Sequence, residues 1–183
     1  MKWDAEYTLY LVTDRGLMST GTLSEAVEQA VLGGCTMVQL REKTADSRAF
    51  YDEALRIKAV TDKHKVPLII NDRVDIALAV DAAGVHVGQS DLPANVVRRM
   101  VGPDKLVGVS VGSVAEAQKA KRDGADYLGI GAMFATSTKK DAEVVSFETL
   151  TRIRQEVELP NVVIGGINET TAPRFSKRVT DGL

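Results

Sequence analysis

Short runs of apolar, mostly β-branched residues alternate along this chain with longer segments whose apolar positions recur every three or four residues. The first pattern marks strands and the second marks helices. It predicts strands at Tyr7–Val12, Thr36–Lys43, Val66–Asn71, Gly84–Val87, Lys105–Ser110, Asp126–Gly131 and Asn161–Gly165. Helices are predicted at Leu23–Leu32, Ser47–His64, Val74–Ala82, Asn95–Val101, Val114–Asp123 and Phe147–Val157. Thr22 is placed to cap the first helix, and Gly33-Gly34 and Gly124 to stop helices. Leu68-Ile69-Ile70 and Val107-Gly108-Val109 are apolar or glycine at consecutive positions, as parallel strands covered on both faces require. The unbroken alternation shows no linker-like change of composition, so one domain over residues 1–183 is expected, of the α/β class. A TIM (β/α)8 barrel is the first architecture, and an open doubly wound sheet is the second.

Polar residues gather at one kind of place, the C-terminal ends of the predicted strands. The endings read Thr13-Asp14-Arg15, Gln39-Leu40-Arg41-Glu42-Lys43, Asn71-Asp72-Arg73, Gly88-Gln89-Ser90-Asp91, Ser110, Ala135-Thr136-Ser137-Thr138-Lys139-Lys140 and Gly165-Gly166-Ile167-Asn168. A barrel of parallel strands builds its active site on that rim. Along a strand Gln39, Arg41 and Lys43 fall on one face, placing two cations and an amide where an anionic, phosphate-bearing ligand can be gripped. A solvated strand edge with scattered charges is the bland reading of that run alone.

Composition narrows the partners. The chain has 183 residues, 44% hydrophobic, enough for a sizeable core. No apolar run approaches a membrane span, and the polar, acidic Met1-Lys2-Trp3-Asp4-Ala5-Glu6 is unlike a signal peptide, so a cytoplasmic location without membrane attachment is expected. A net charge of -2 with interspersed signs and 5% aromatics argues against nucleic-acid binding. Small-molecule substrates are expected, and a homo-oligomer is left open. The lone Cys35, in apolar company, reads as a buried inert thiol.

Asp72 and Asp91 follow successive strand ends, and as two hard oxygen donors over a barrel mouth they suit magnesium, which completes its shell with water and substrate phosphates. Arg41, Lys43 and Lys139 would share that polyphosphate. Either aspartate alone could instead be a turn residue or a helix cap, Asp72 for the helix from Val74. The Thr136–Lys139 run can wrap phosphate oxygens, or be a polar loop. Gly165-Gly166 can admit a phosphate close to the backbone, or make a tight turn. His86 reads as a packed strand residue, and His64 as a helix end suited to the dipole.

Six motifs in order carry a resemblance: Leu9-Tyr10-Leu11-Val12-Thr13-Asp14, Val38-Gln39-Leu40-Arg41-Glu42-Lys43, Ile70-Asn71-Asp72-Arg73, His86-Val87-Gly88-Gln89-Ser90-Asp91, Gly108-Val109-Ser110, and Gly129-Ile130-Gly131 leading to Thr136-Ser137-Thr138-Lys139. Together they resemble the thiamine phosphate synthase family over most of the chain. That resemblance implies a transferase joining hydroxymethylpyrimidine diphosphate to a thiazole phosphate with release of diphosphate. It implies Asp72 and Asp91 as magnesium ligands. Arg41, Lys43, Asn71 and Lys139 would be the diphosphate grip, Gln39 and Ser110 would orient the pyrimidine, and Thr136, Thr138 and Gly166 would receive the thiazole phosphate. Arg41, Lys43, Ser110 and Lys139 are the expected catalytic set. A thiazole tautomerase-like isomerase and an inactive family member are the alternatives.

Two stretches depart from the family pattern. Ala132-Met133 stands where a proline followed by a smaller apolar residue is usual. Thr180-Asp181-Gly182-Leu183 falls where family members begin an eighth strand, so that strand and its helix are expected to be missing. The segment from Thr170 to Val179 is also more basic than usual, with Arg174, Lys177 and Arg178, and reads as a solvated helix face or a divergent ending.

Overall fold

A computed structural model of the chain describes residues 4–19, 21–136 and 144–183. Its seven strands form one sheet in sequence order. The chain divides into two compact units, residues 1–86 with 99–106 and residues 87–98 with 107–183.

In the first unit β1 (Tyr10–Val12), β2 (Met37–Leu40), β3 (Leu68–Asn71) and β4 (Gly84–Val87) pair in parallel, with Val12 opposite Gln39, Leu40 opposite Ile70 and Asn71 opposite His86. The intervening helices are α1 (Leu23–Leu32), α2 (Ser47–His64) and α3 (Val74–Ala79). Val38, Leu40, Ile69, Ile70 and Val85 on the strands are fully buried, as are Val27, Ala54 and Ile57 on the helices. At about 1.5–3 kcal/mol for each large apolar side chain, this burial is what holds helices to sheet. Thr22 closes a capping box with Glu25 at the start of α1, and Asp46 caps α2 through the Ala49 N–H.

The second unit holds most of α4 (Ala94–Val101) and β5 (Leu106–Val111), then α5 (Val114–Arg122), β6 (Tyr127–Ile130), α6 (Phe147–Glu156) and β7 (Asn161–Val163). Ser110 lies opposite Gly129 and Ile130 opposite Val163, again in parallel. Ser113 and Ser146 cap α5 and α6. Tyr127, Leu128, Ile130, Leu150 and Ile153 are fully buried.

Several predicted boundaries move. The strand predicted to run to Lys43 ends at Leu40, because the Arg41 N–H donates to the Thr13 hydroxyl (3.0 Å) and leaves the backbone ladder. Arg41 and Lys43 are therefore loop residues, and the two-residue alternation argued from an extended strand applies only as far as Gln39. The helix predicted to reach Ala82 stops at Ala79, where Asp81 takes a left-handed backbone (φ 52°). The strand predicted to reach Gly165 ends at Val163. A short 3-10 turn, Arg15–Leu17, follows β1, and another, Ala172–Arg174, lies in the segment expected to be a solvated helix face or a divergent ending.

Among the described residues seven strands form and no eighth, in line with the expectation, though the last residues bridge to β7. The Asp181 N–H donates to the Asn161 carbonyl (2.9 Å), the Val163 N–H donates to the Gly182 carbonyl (3.1 Å), and Val162 and Gly182 form a parallel bridge. Asp181 and Gly182 thus form one isolated bridge beside β7. Asp181 fixes this register twice over, accepting the Asn161 N–H (2.9 Å) and pairing with Arg154 (2.7 Å).

One glycine is required by close approach. A Cβ at Gly84 would lie 2.3 Å from the Leu106 carbonyl oxygen and 2.7 Å from Leu106 Cβ, so β4 can sit this close to the start of β5 only without a side chain there. Gly84→Ala should lower unfolding free energy by about 1–3 kcal/mol, the usual cost of overpacking. A denaturant melt with an unchanged midpoint would refute that packing.

Candidate active site

In the first unit the predicted residues lie at or just past the ends of β2 and β3. Gln39 is only 4% exposed, and its amide donates to the Tyr10 hydroxyl (2.9 Å). Arg41 is half-buried and held by the bond from its N–H to Thr13, itself 4% exposed. Asn71 closes β3, and Asp72 follows with a left-handed backbone (φ 60°). The ammonium of Lys43 sits directly on the Asp72 carboxylate. The helix-cap reading of Asp72 is not realised: the N-cap of α3 is Arg73, with no side-chain capping bond.

The neighbouring charges are committed to structure. Arg73 pairs with Asp75 (2.6 Å) and donates to Ser47 (2.9 Å), and that ion pair raises the arginine's pKa and lowers the carboxyl's. Arg15 pairs with Glu42 (2.7 Å) and Glu53 (3.3 Å).

In the second unit Asp91 accepts the Gly88 N–H (2.8 Å), bracing the β4–α4 loop, and with Gly88, Gln89, Glu116 and Lys119 it lines a cavity of about 250 Å³. Ser110 is the half-buried residue of β5, and its carbonyl accepts from the Gln89 amide (2.7 Å). Thr136 is the last described residue before 137–143, so Thr138 and Lys139 lie outside the described residues. Gly165 and Gly166 adopt φ of 96° and 66°, and a Cβ on either would lie 2.6 Å from Ala132 or Phe134. Their conformation brings this turn against the segment that leads to Thr136.

Four residues matter here that the sequence reading left without a role: Thr13 and Tyr10, which fix Arg41 and Gln39, and Gln89 and Phe134, which fix Ser110 and the Gly166 turn. Thr13 and Gln89 stand out in sequence only as polar strand endings, and nothing local reveals what they bond. Cys35 is buried, its thiol bonded to backbone carbonyls of Met37 (3.0 Å) and Leu9 (3.4 Å), and His86 is 6% exposed within β4. His64 ends α2 beside Glu28 (3.3 Å), where Lys63 and His64 together lower the Glu28 pKa. Among the described residues, no three His, Cys, Asp or Glu side chains gather as a metal cluster, and no helix is long and apolar enough to cross a membrane.

Alternating parallel strands and helices, with cations, carboxylates and amides at the strand ends, define a β/α-barrel enzyme class that handles anionic ligands. The family described as thiamine monophosphate synthase matches residues 9–183, and the chain belongs to it. A Clostridium beijerinckii protein named thiamine-phosphate synthase is 61% identical over 183 residues, covering 100% of this chain and 88% of that protein. One of the same name from Ruminiclostridium cellulolyticum is 66% identical, covering 100% and 87%. The solved thiamine phosphate pyrophosphorylase from Pyrococcus furiosus aligns with a TM-score of 0.88 at 40% identity, covering 97% of this chain and 84% of that one. The fold is accordingly the TIM-like barrel, here with seven strands and the short pairing at 181–183.

Thr13→Val removes the acceptor of the Arg41 N–H while keeping side-chain volume. A stability loss of about 1–3 kcal/mol is expected from the orphaned donor. An unchanged melting midpoint would show that this bond does not hold Arg41. The Asp75 carboxyl, lowered in the folded state by Arg73, contributes stability above its ordinary pKa that is lost as pH falls through the depressed folded value. Arg73→Met should therefore flatten the acid limb of a stability–pH profile and leave neutral-to-alkaline behaviour parallel to the parent. A limb of unchanged slope would remove the pair from that account.

Proposed function

We propose that the chain acts as a single-domain thiamine phosphate synthase, a transferase joining 4-amino-5-hydroxymethyl-2-methylpyrimidine diphosphate to 4-methyl-5-(2-phosphoethyl)thiazole. What supports the reading beyond family membership is the Lys43 ammonium resting on Asp72, a cation already in place on the carboxylate assigned to a metal. The pyrimidine CH2–O bond breaks, its electron pair leaving on the diphosphate, and the thiazole nitrogen lone pair forms the new C–N bond. Such a step asks the protein for positioning and for stabilisation of departing charge, and for no general base. That agrees with His86 and His64, both committed elsewhere.

The donor set fits magnesium: Asp72 and Asp91 are hard oxygen ligands, Asp72 already carries a stand-in cation, and Asp91 is aimed by a single backbone donor. Asp72 and Asp91 would hold magnesium, which would supply positive charge to the departing diphosphate. Lys43 moves from Asp72 to the diphosphate oxygens when substrate arrives, and Arg41, fixed through Thr13, presents its guanidinium to the same group. Asn71 and Lys139 complete the grip. Gln39, oriented by Tyr10, and Ser110, on the strand braced by Gln89, hold the pyrimidine. Thr136, Thr138 and Gly166 take the thiazole phosphate. Both substrates are phosphorylated anions that do not cross membranes, which supports a cytoplasmic reaction.

Asp91→Asn retains an oxygen for the Gly88 N–H and removes the charge, so the loop should stay braced. The variant should melt like the parent but lose at least about 100-fold in magnesium-stimulated turnover, in the range of lost transition-state charge stabilisation. Parent-like turnover with unchanged magnesium dependence would remove Asp91 from the metal site.

A further inference from the structure

One basic residue is held in a way its neighbours are not. Arg174, in the 3-10 turn Ala172–Arg174 after β7, places its guanidinium carbon 5.1 Å from the ring centroid of Phe134 and 4.8 Å from that of Phe147. The two rings meet edge to face at 6.1 Å, and Phe175 stacks on Phe147 at 5.2 Å. Among the described residues no carboxylate pairs with Arg174, whereas Arg73, Arg98, Arg152 and Arg154 each pair with one. It is exposed, yet its guanidinium lies over two half-buried rings, against which the third, Phe175, packs.

Where those rings come from places the cation. Phe134 follows β6 two residues before Thr136, Phe147 opens α6, and Phe175 ends the turn after β7. All three stand at C-terminal strand ends or the helix start that follows one. The Phe134 stem is also the wall against which Gly166 packs, since a Cβ on Gly166 would lie 2.6 Å from Phe134 Cβ. The Thr171 hydroxyl donates to the Gly166 carbonyl (3.0 Å) and joins the Arg174 turn to the same glycine. One aromatic side chain therefore touches both the Gly166 turn and Arg174.

A guanidinium held over aromatic faces spends its π surface on the rings and keeps its in-plane N–H donors for a planar or tetrahedral oxyanion. Its rotamers are restricted before any ligand arrives, so less entropy is lost on binding than for an unsupported lysine. Among the described residues no carboxylate uses this charge. We propose that Arg174 is a pre-oriented phosphate-binding residue that takes the phosphate monoester of the second substrate beside the Gly166 turn. In identifying that monoester as the thiazole phosphate, the inference rests on the synthase reading.

Two readouts separate the inference from that reading. In the synthase assay Arg174→Ala should raise KM for the thiazole phosphate about tenfold, leaving kcat and KM for the pyrimidine diphosphate within about twofold. Arg174→Lys should recover part of the loss, and Arg178→Ala, an exposed charge without rings beneath it, should match the parent. Independently, 31P NMR titration of the full 183-residue chain with ethyl phosphate should show binding weakened about tenfold by Arg174→Ala. If the parent makes no thiamine phosphate yet ethyl phosphate binding depends on Arg174, the synthase reading fails and the phosphate site stands. Ethyl phosphate binding indifferent to Arg174, or an active Arg174→Ala variant whose two KM values match the parent's, overturns the inference. So does a fall in kcat with both KM values unchanged, which would make the residue a strut for the β6 and β7 loops.

Discussion

Backbone N–H groups at the ends of a parallel ladder can lack a strand partner, and buried ones cannot go unpaired. In this chain side chains meet the requirement at several of these places, and carbonyls of the neighbouring strand meet it at others, as His86 does for the Asp72 N–H and Ile130 for that of Ile164. Thr13 takes the Arg41 N–H, Asp91 that of Gly88, Glu116 that of Gly112, Asp126 that of Val107, and Asp181 that of Asn161. The bonds at Arg41, Gly88 and Gly112 lie just past the ends of β2, β4 and β5, and those at Val107 and Asn161 at the starts of β5 and β7. Arg41 and Lys43 are available as loop cations because Thr13 ends β2 at Leu40.

The same accounting sorts the charges. Arg15, Arg73, Arg98 and Arg154 are tied into ion pairs that join helices, loops and strand ends. Lys43 is paired too, with a carboxylate on a left-handed backbone just past β3. Arg174 rests on rings and, among the described residues, on no acid. Polar groups spent on architecture can thus be told from those held ready for a ligand by asking what each already bonds.

Much of this was legible in the sequence. The seven strands and six helices among the described residues follow from apolar runs and helical periodicity, and Gln39, Arg41, Asn71, Asp72, Asp91 and Ser110 each lie at or near the C-terminal end of a strand. The boundaries failed where a side chain overrode a local pattern: extended-looking Arg41–Lys43 leaves the ladder because of a threonine 28 residues away in the chain. The pairing of Asp181 and Gly182 with β7 was missed for the same reason, since three residues carry no periodicity and the register comes from Asn161 and Arg154. The roles of Tyr10, Gln89 and Phe134 were illegible because each depends on a contact formed only on folding.

The central claim is that these strand ends, in a chain of the thiamine monophosphate synthase family, assemble a site for diphosphate departure with carbon–nitrogen bond formation. The direct measurement follows thiamine phosphate and diphosphate together when the purified 183-residue chain meets both substrates, first with magnesium and then with chelator. The account predicts the two products in equal amounts with magnesium and neither after chelation. A cooperatively folded chain that forms no thiamine phosphate under either condition would contradict it.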